Sequence, residues 1–344
     1  MHNTIIKARA PLRLGLAGGG TDVSPYCDHY TGYILNATIG RYAYAVIKKT
    51  KGQIKFQASD LNITETLTPE FPLELEGKLK LHRAVYNHFV RKYNNSTPLE
   101  IEVSTFCDAP AGSGLGSSST LVVAMVKAFD ELLNLSLDDY KIALTAYKIE
   151  REDCDLAGGR QDQYAATFGG VNFMEFYADN KTIVNPLRIK PQIINELEAS
   201  LILFYTGTSR ESANIIKEQS KGVSVSNTCV IDALHGVKAE AAEMKEALLK
   251  GDFKAITASM LRGWENKKKS AKMISNSHIE EIFDCALKAG AVSGKVSGAG
   301  GGGFMMFLTP TEKKMDVIRK LSEFQGQISN CHFTSQGCES WKIG

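Results

Sequence analysis

The stretch D-A-P-A-G-S-G-L-G-S-S-S-T, at residues 108–120, joins two segments with different hydrophobic patterns. Polar and apolar residues alternate through residues 99–106, which predicts a strand with one buried face. Residues 121–133 are apolar on nearly every side and contain no proline, which predicts a buried helix. The glycines and serines therefore lie in a strand-to-helix turn.

This turn has the composition of an anion-binding site. Gly112, Gly114 and Gly116 permit positive φ and remove three Cβ atoms, so backbone N–H groups can converge on a ligand. The serines that begin with Ser117 and Ser118 occupy the first helical turn, where free N–H groups and the helix dipole favour an anion. The pattern favours a polyphosphate ligand over the alternative, a tight turn with a serine cap. No G-K-[ST] follows the glycines, so this is not a Walker A loop.

Composition sets broad limits on function. The chain has 344 residues, of which 43% are hydrophobic and 23% charged, as in ordinary globular proteins. The 40 lysines and arginines nearly balance 38 acidic residues, so the charge favours neither nucleic acid nor an anionic membrane as a partner. No apolar run has the length of a membrane span, and residues 1–7 lack a signal-peptide pattern. The seven scattered cysteines predict reduced thiols in a cytoplasmic protein, with neither a disulfide framework nor a zinc site.

The order of the remaining patterns predicts two lobes. Residues 33–38 and 42–48 flank Gly40 and are typical of a hairpin. Ser136 with Asp139 forms a capping pattern that opens a helix running to about residue 152. Two prolines near residue 188 mark a domain boundary, giving domains at 1–188 and 189–344. Strands and helices mix without strict alternation, which indicates an α+β fold.

Two further glycine-rich loops accompany the central one. The first, at residues 13–22, follows a predicted strand. The third contains Gly298, Gly300 and Gly303 in G-x-G-x-x-G spacing, but a strand at residues 304–308 follows it instead of the helix that a dinucleotide site needs. We interpret the third loop as a glycine hairpin that passes close to a ligand or to the first loop; a purely structural turn is the alternative.

Four polar residues near these loops together match the needs of phosphoryl transfer. Such a site needs a carboxylate and a small hydroxyl to hold Mg²⁺, a cation, and a base or positioner for the acceptor hydroxyl. The carboxylate is Glu150 and the hydroxyl is Ser118. The cation is Arg13, and the base or positioner is Asp162. Glu152 is two helical positions from Glu150, so only one of the two can face a common site.

The three loops together resemble those of the GHMP small-molecule kinases, which include galactokinase and mevalonate kinase. The motifs are P-A-G-S-G-L-G-S-S-S at 110–119, A-P-L-R-L-G-L-A-G-G-G-T-D at 10–22 and K-V-S-G-A-G-G-G-G-F at 295–304. The resemblance implies an N-terminal lobe like domain 2 of ribosomal protein S5, a C-terminal ferredoxin-like lobe, and ATP and Mg²⁺ bound with an acceptor between them. It assigns ATP to Pro110, Ala111, Gly112, Ser113, Gly114, Leu115, Gly116, Ser117 and Ser118.

Within that family, residues 158–170 and 205–210 are most similar to the D-glycero-D-manno-heptose 7-phosphate kinases. This similarity implies Ser118 and Glu150 as Mg²⁺ ligands, Asp162 as the catalytic aspartate and Arg13 as the cation near the acceptor. The predicted substrate-binding residues are Gly19, Gly20, Thr21, Asp22, Arg160, Arg210, Gly300 and Gly301. Small molecules are then the partners. Another sugar-1-kinase, of the fucose or galactose type, and a non-catalytic sugar- and ATP-binding regulator are the alternatives.

Two details bear on the acceptor. Gly19 and Gly20 stand where galactokinases have Glu-His, which leaves room for an acceptor larger than galactose. A phosphorylated acceptor needs cations beyond those that serve ATP, and Arg160, Arg210 and Lys295 are the candidates. Each of the three is equally compatible with an ordinary surface charge.

Overall fold

The computed structural model describes residues 4–207 and 212–344. The strands are β1 (Ile5–Ala17), β2 (Gly32–Lys49), β3 (Ile54–Ala58), β4 (Ile63–Leu67), β5 (Ile101–Cys107), β6 (Val171–Phe176), β7 (Thr182–Pro186), β8 (Leu201–Tyr205), β9 (Ser293–Val296), β10 (Phe304–Leu308), β11 (Gln327–Ser329) and β12 (Glu339–Ile343). The helices are α1 (Tyr26–Tyr30), α2 (Lys80–Tyr93), α3 (Ser117–Leu133), α4 (Asp139–Lys148), α5 (Gln161–Phe168), α6 (Pro191–Ser200), α7 (Ser212–Ser224), α8 (Thr228–Lys250), α9 (Phe253–Ser270), α10 (Ser277–Ala289) and α11 (Lys314–Leu321).

The first lobe contains a mixed sheet of eight described strands in the order β12-β1-β2-β5-β3-β4, with β6 and β7 joined through β2. Helices α2 and α3 contribute the buried face that packs on this sheet. Phe89 of α2 stacks on Phe129 of α3 with ring centroids 4.9 Å apart. Stacked, buried rings of this kind fix the position of α3, and so of the loop that precedes it.

The second lobe contains an antiparallel sheet in the order β11-β8-β10-β9. Helices α10 and α11 cover one face, where Ile282, Phe307 and Val317 belong to one buried cluster. A second cluster joins the lobes, because Leu14 of β1 and Leu203 of β8 both belong to it. The α+β fold is thus as expected. The division at residue 188 stays a prediction, and the last strand, β12, returns to pair with β1.

The predicted hairpin around Gly40 is wrong. The two segments form one continuous strand, β2, because its halves have different partners: Gly32 to Ala37 pair with β6, and Ala43 to Lys49 pair with β5. Gly40 lies between the two halves and donates its N–H to the carbonyl of His332. Pairing with distant segments therefore decides the conformation at Gly40.

The helix after the central loop begins at Ser117, in the expected place. The cap predicted for the following helix needs correction. Asp138 caps α4 by accepting a hydrogen bond from the N–H of Lys141 at 2.8 Å, whereas Ser136 lies before the helix with a positive φ. Helix α4 then continues into a π-helical turn at Ile149–Asp153, where i→i+5 hydrogen bonds widen the helix.

Across the described ranges, no helix combines the length and the apolar character needed to cross a membrane. The seven cysteines are all free thiols.

Candidate active site

A cavity of about 270 Å³ opens where the two lobes meet. The first lobe contributes part of the first glycine loop (residues 13–22), the second glycine loop (residues 110–119) and the start of α5. The second lobe contributes one face of α7, the end of α9 and the start of the third glycine loop (residues 298–303). All three glycine loops therefore meet at a single cavity.

The second glycine loop presents alternate residues to this cavity. Those that line it are Gly112, Gly114, Gly116, Ser117 and Ser118, joined by Ser119. The other four residues in the predicted ATP set are not among those that line the cavity, and their contact with ATP stays a prediction. Pro110 and Ala111 lie exposed at the start of the loop, and Ser113 and Leu115 are buried beneath it. These four shape the loop and are not part of the cavity wall.

The third glycine loop, interpreted as passing close to a ligand or to the first loop, packs against the second loop and lines the cavity with Gly298. Ser297 donates its hydroxyl to the carbonyl of Gly114 at 2.9 Å. A Cβ on Gly298, whose φ is +77°, would lie 2.8 Å from the Cα of Gly114. Only glycine permits so close an approach with that φ.

Gly300 and Gly301, predicted to contact substrate, are placed elsewhere. Gly301 donates its N–H to the carbonyl of Ile274, and a Cβ on Gly300 would meet Ile274 as well. Gly298 and Ala299 form the part of this loop that lines the cavity. Gly300 and Gly301 are therefore outside the described cavity wall, and their contact with substrate stays a prediction.

Arg13 and Asp162 form a close ion pair in the cavity wall. Both Nε and Nη2 of Arg13 bond the Oδ1 atom of Asp162, at 2.7 and 2.6 Å, and Nη1 donates to the carbonyl of Gly114 at 2.6 Å. Arg13 is 3% exposed. A Cβ on Gly116 would lie 3.1 Å from Cγ of Asp162, so the carboxylate lies directly against the second loop. Its Oδ2 atom can accept a hydrogen bond from a bound hydroxyl.

The end of the first glycine loop is anchored to α5. Asp22 is buried and accepts hydrogen bonds on Oδ2 from the N–H groups of Arg160 and Gln161, at 2.8 and 3.0 Å. Thr21 is buried and donates to the carbonyl of Tyr33 at 2.9 Å. Asp22 thus acts as a capping residue for α5 while it also lines the cavity together with Gly20.

Ser118 and Glu150 meet on the other side of the second loop. The Ser118 hydroxyl donates to Oε1 of Glu150 at 3.1 Å, and Gln163 donates to Oε2 at 2.7 Å. Glu150 is 2% exposed, whereas Glu152 is exposed to solvent. The expectation that only one of these two carboxylates faces the site agrees with this placement.

A hydroxyl and a carboxylate at this spacing are hard oxygen ligands of the type that Mg²⁺ prefers. Among the described residues, no group of three His, Cys, Asp or Glu side chains could hold a metal ion by itself. A Mg²⁺ ion held by Ser118 and Glu150 would therefore complete its coordination with phosphate oxygens and water, as Mg²⁺ commonly does beside nucleotides. The residues fit such an ion.

Two of the three cations predicted for a distal phosphate, Arg160 and Lys295, make other contacts. The Arg160 side chain is buried and bonds the Tyr177 carbonyl at 2.7 Å and Asp28 at 3.1 Å, away from the cavity wall. Lys295 is also buried, and its Nζ bonds the Gly15 carbonyl at 2.9 Å. The structure therefore corrects both predictions, because the side chains of Arg160 and Lys295 make contacts within the protein. Arg210 lies outside the described residues.

Lys267, a charged residue of the cavity wall, was not identified from the sequence. Lys267 is 4% exposed, and its ammonium donates to the carbonyl of Gly298. It lies in the run Lys267-Lys268-Lys269, which is typical of a solvated helix face. Helical spacing could have identified it, because Met260 and Trp264, at i−7 and i−3, are buried on the same face.

Comparison with known proteins places these features in a family. Residues 80–170 match the GHMP kinases N terminal domain, and residues 244–326 match the GHMP kinases C terminal domain. The chain is 47% identical to a D-glycero-alpha-D-manno-heptose 7-phosphate kinase of Campylobacter jejuni, over 98% of this chain and 99% of that protein. It is 25% identical to a galactokinase of Pyrococcus furiosus, over 91% of each chain.

Solved structures of similar fold include kinases of the same kinds. A D-glycero-D-manno-heptose 1-phosphate kinase from Bacteriodes thetaiotaomicron superposes with a TM-score of 0.84 at 44% identity, covering 98% of this chain and 99% of that one. A mevalonate kinase from Methanococcus jannaschii superposes with a TM-score of 0.74 at 21% identity, covering 95% and 98%, which is a likeness of fold.

Exchange of Glu150 for glutamine should weaken divalent-cation binding roughly tenfold or more, because the amide removes the anionic ligand beside Ser118. The measurement is a Mn²⁺ titration followed by electron paramagnetic resonance in the presence of a non-hydrolysable ATP analogue. Glu152→Gln is the matched control and should bind Mn²⁺ as the unmodified protein does. Equal losses in both variants would remove Glu150 from the metal site.

Proposed function

Because this chain belongs to the GHMP kinase family, we propose that it transfers a phosphoryl group from ATP to the anomeric hydroxyl of D-glycero-D-manno-heptose 7-phosphate. The products are the 1,7-bisphosphate and ADP. We further propose that the bisphosphate serves the synthesis of nucleotide-activated heptose for surface polysaccharide, in the cytoplasm. The observation that carries the proposal is the Arg13–Asp162 pair, which lies against the second glycine loop and shares its cavity with Ser118 and Glu150.

The second glycine loop supports the nucleotide half of this proposal. Its three glycines Gly112, Gly114 and Gly116 have φ values of 72°, 83° and 78°, so the backbone can turn its N–H groups toward phosphate oxygens. Helix α3 begins directly after Gly116, and its first turn adds free N–H groups and the positive end of a helix dipole. This geometry suits the phosphates of ATP without a P-loop lysine.

Asp162 supports the acceptor half. In the proposed step, its carboxylate accepts the proton of the anomeric hydroxyl as that oxygen forms a bond to the terminal phosphorus of ATP. The bond between this phosphorus and the bridging oxygen breaks, and ADP leaves with the bonding electrons. Arg13 holds the carboxylate in place through two bonds to Oδ1, at 2.7 and 2.6 Å. Its buried positive charge also lies where negative charge develops.

Ser118 and Glu150 hold Mg²⁺ in this proposal. When bound, the ion neutralises charge on the phosphate oxygens. Gln163, which donates to Oε2 of Glu150 at 2.7 Å, fixes the carboxylate so that Oε1 faces Ser118. The Glu150 carboxylate is therefore already oriented as a metal ligand before the ion binds.

Three other functions differ from this proposal, two in the acceptor and one in having no turnover. The similarity to fucokinases and galactokinases, at 26% and 25% identity, favours a hexose that carries no phosphate. The Bacteriodes thetaiotaomicron relative is named a heptose 1-phosphate kinase, and a 1-phosphate has no free anomeric hydroxyl. A non-catalytic regulator would bind sugar and ATP without turnover, and such a protein has no need of the Arg13–Asp162 pair.

Replacement of Asp162 by asparagine should lower kcat by roughly 10²-fold or more, because an amide cannot accept the acceptor proton. The Kd for ATP should change little, since Ser117 and the glycines of the second loop remain. Coupled ADP release measures kcat, and calorimetry measures ATP binding. Turnover near that of the unmodified enzyme would exclude Asp162 as the base.

The acceptor is tested with a panel of free heptose, heptose 1-phosphate, heptose 7-phosphate, fucose and galactose. We expect the highest kcat/KM for the 7-phosphate and no turnover of the 1-phosphate, because its anomeric oxygen is blocked. Arg210→Ala should reduce the preference for the 7-phosphate over free heptose, whereas the control Arg188→Ala, which removes an exposed arginine, should not. Equal kcat/KM for free and 7-phosphorylated heptose in the unmodified enzyme would refute the proposed acceptor.

A further inference from the structure

Lys267 reaches the cavity from the second lobe, near the end of α9. Its ammonium is fixed by a hydrogen bond to the carbonyl of Gly298, the first residue of the third glycine loop. An ammonium group has three donors. Among the contacts of the described residues this is its one hydrogen bond, so two donors remain for a molecule in the cavity.

The charges around Lys267 leave it short of a partner. Lys267 interacts electrostatically with two cations, Arg13 of β1 and Lys295 of β9. It also interacts with two acids, Asp22 of the first loop and Asp162 of α5. Burial lowers the pKa of Lys267 to about 8, Arg13 lowers it further, and the two acids oppose that shift. A buried ammonium is costly without a paired anion. An anionic group in the cavity would supply that partner.

The guanidinium donors of Arg13 already bond other groups of the protein. Its Nε and Nη2 atoms bond Asp162, and its Nη1 atom bonds the carbonyl of Gly114 at 2.6 Å. Most of the donors of this guanidinium are therefore engaged before a substrate arrives. Lys267 therefore has a larger share of uncommitted donors than Arg13.

The first glycine loop makes room for this lysine. A Cβ on Gly19 would lie 3.3 Å from Nζ of Lys267, which is tighter than most real contacts. A side chain on Gly19 would therefore press on the ammonium or displace it. The glycine therefore leaves space for a cation from the second lobe beside the first glycine loop.

We propose that Lys267 is a substrate-contacting residue that binds the oxygens of the phosphoryl group while it passes from ATP to the acceptor. The inference rests on the sugar kinase activity proposed above. A cation placed at the transferred group stabilises the charge on its equatorial oxygens more strongly in the transition state than in the ground state. Because Lys267 belongs to α9, this contact would also join the second lobe to a reaction whose base, Asp162, belongs to the first.

Lys295 does not share this role, although it is also buried. Its Nζ bonds two carbonyls, of Gly15 at 2.9 Å and Leu16 at 3.3 Å, and it is absent from the wall of the main cavity among the described residues. Lys295 connects β9 to β1 and is a structural contact.

The test compares Lys267→Met with Lys268→Met. Methionine keeps the length of the buried chain and removes the charge, whereas Lys268, one residue along α9, pairs with Glu265 and Glu280 outside the cavity. We expect Lys267→Met to lower kcat by about 10²-fold with small changes in both KM values, because the lost contact acts in the transition state. Lys268→Met should keep kcat within about twofold. Thermal unfolding and ATP binding check that both variants are folded.

The pH profile gives a second readout that a structural role would not produce. Lys267 must be protonated to act, so kcat/KM of the unmodified enzyme should fall as the pH rises through the pKa of about 8. Lys267→Arg should retain part of the activity and lose this fall, because a guanidinium stays protonated across the range.

Two results would overturn the proposal: a kcat for Lys267→Met equal to that of Lys268→Met, or a loss confined to the preference for a phosphorylated acceptor. The second result would assign Lys267 to the acceptor's own phosphate. The variants are compared on whichever sugar or sugar phosphate the unmodified enzyme turns over fastest. Failure of heptose 7-phosphate as a substrate is therefore seen separately, in the unmodified enzyme.

Discussion

The structure of the site depends on the side chain of Arg13. This one guanidinium joins β1 to α5 through Asp162 and to the second glycine loop through the carbonyl of Gly114. Because Arg13 is buried, loss of the Asp162 carboxylate would leave its charge uncompensated, and loss of the Gly114 contact would leave a buried donor unpaired. The three parts of the chain are therefore interdependent. Arg13 therefore holds Asp162, the proposed base, at a fixed separation from the second glycine loop, the proposed nucleotide site.

The second lobe completes what Arg13 organises. Its third glycine loop packs on the second so closely that Gly298 and Gly114 exclude any side chain between them. Leu14 of β1 and Leu203 of β8 belong to one buried cluster, so the lobes also share a core. The lobes also interact electrostatically through Lys267, whose ammonium is positioned by the Gly298 carbonyl. Arg13 of the first lobe lowers the pKa of Lys267, and Asp162 raises it.

Local patterns predicted the parts of the fold that local interactions determine. The strand–loop–helix at residues 99–133 could be derived from periodicity, which also showed that only one of Glu150 and Glu152 can face the site. The family resemblance selected Glu150, and it also selected Arg13 and Asp162, which lie together. Long-range contacts decided the rest. Gly40 sits within one strand because β2 pairs with both β5 and β6. The Arg160 side chain turns to Asp28 and the Tyr177 carbonyl, and no sequence spacing specifies that direction.

The central claim is that Asp162, held by Arg13, directs phosphoryl transfer to the anomeric oxygen of a heptose that already carries a phosphate. The measurement that tests it most directly is phosphorus-31 nuclear magnetic resonance of the product formed from ATP and heptose 7-phosphate. Our account predicts one new sugar phosphate resonance, coupled to the anomeric proton, beside an unchanged 7-phosphate resonance. A new resonance coupled to any other sugar proton, or ADP formation with no new sugar phosphate, would contradict it.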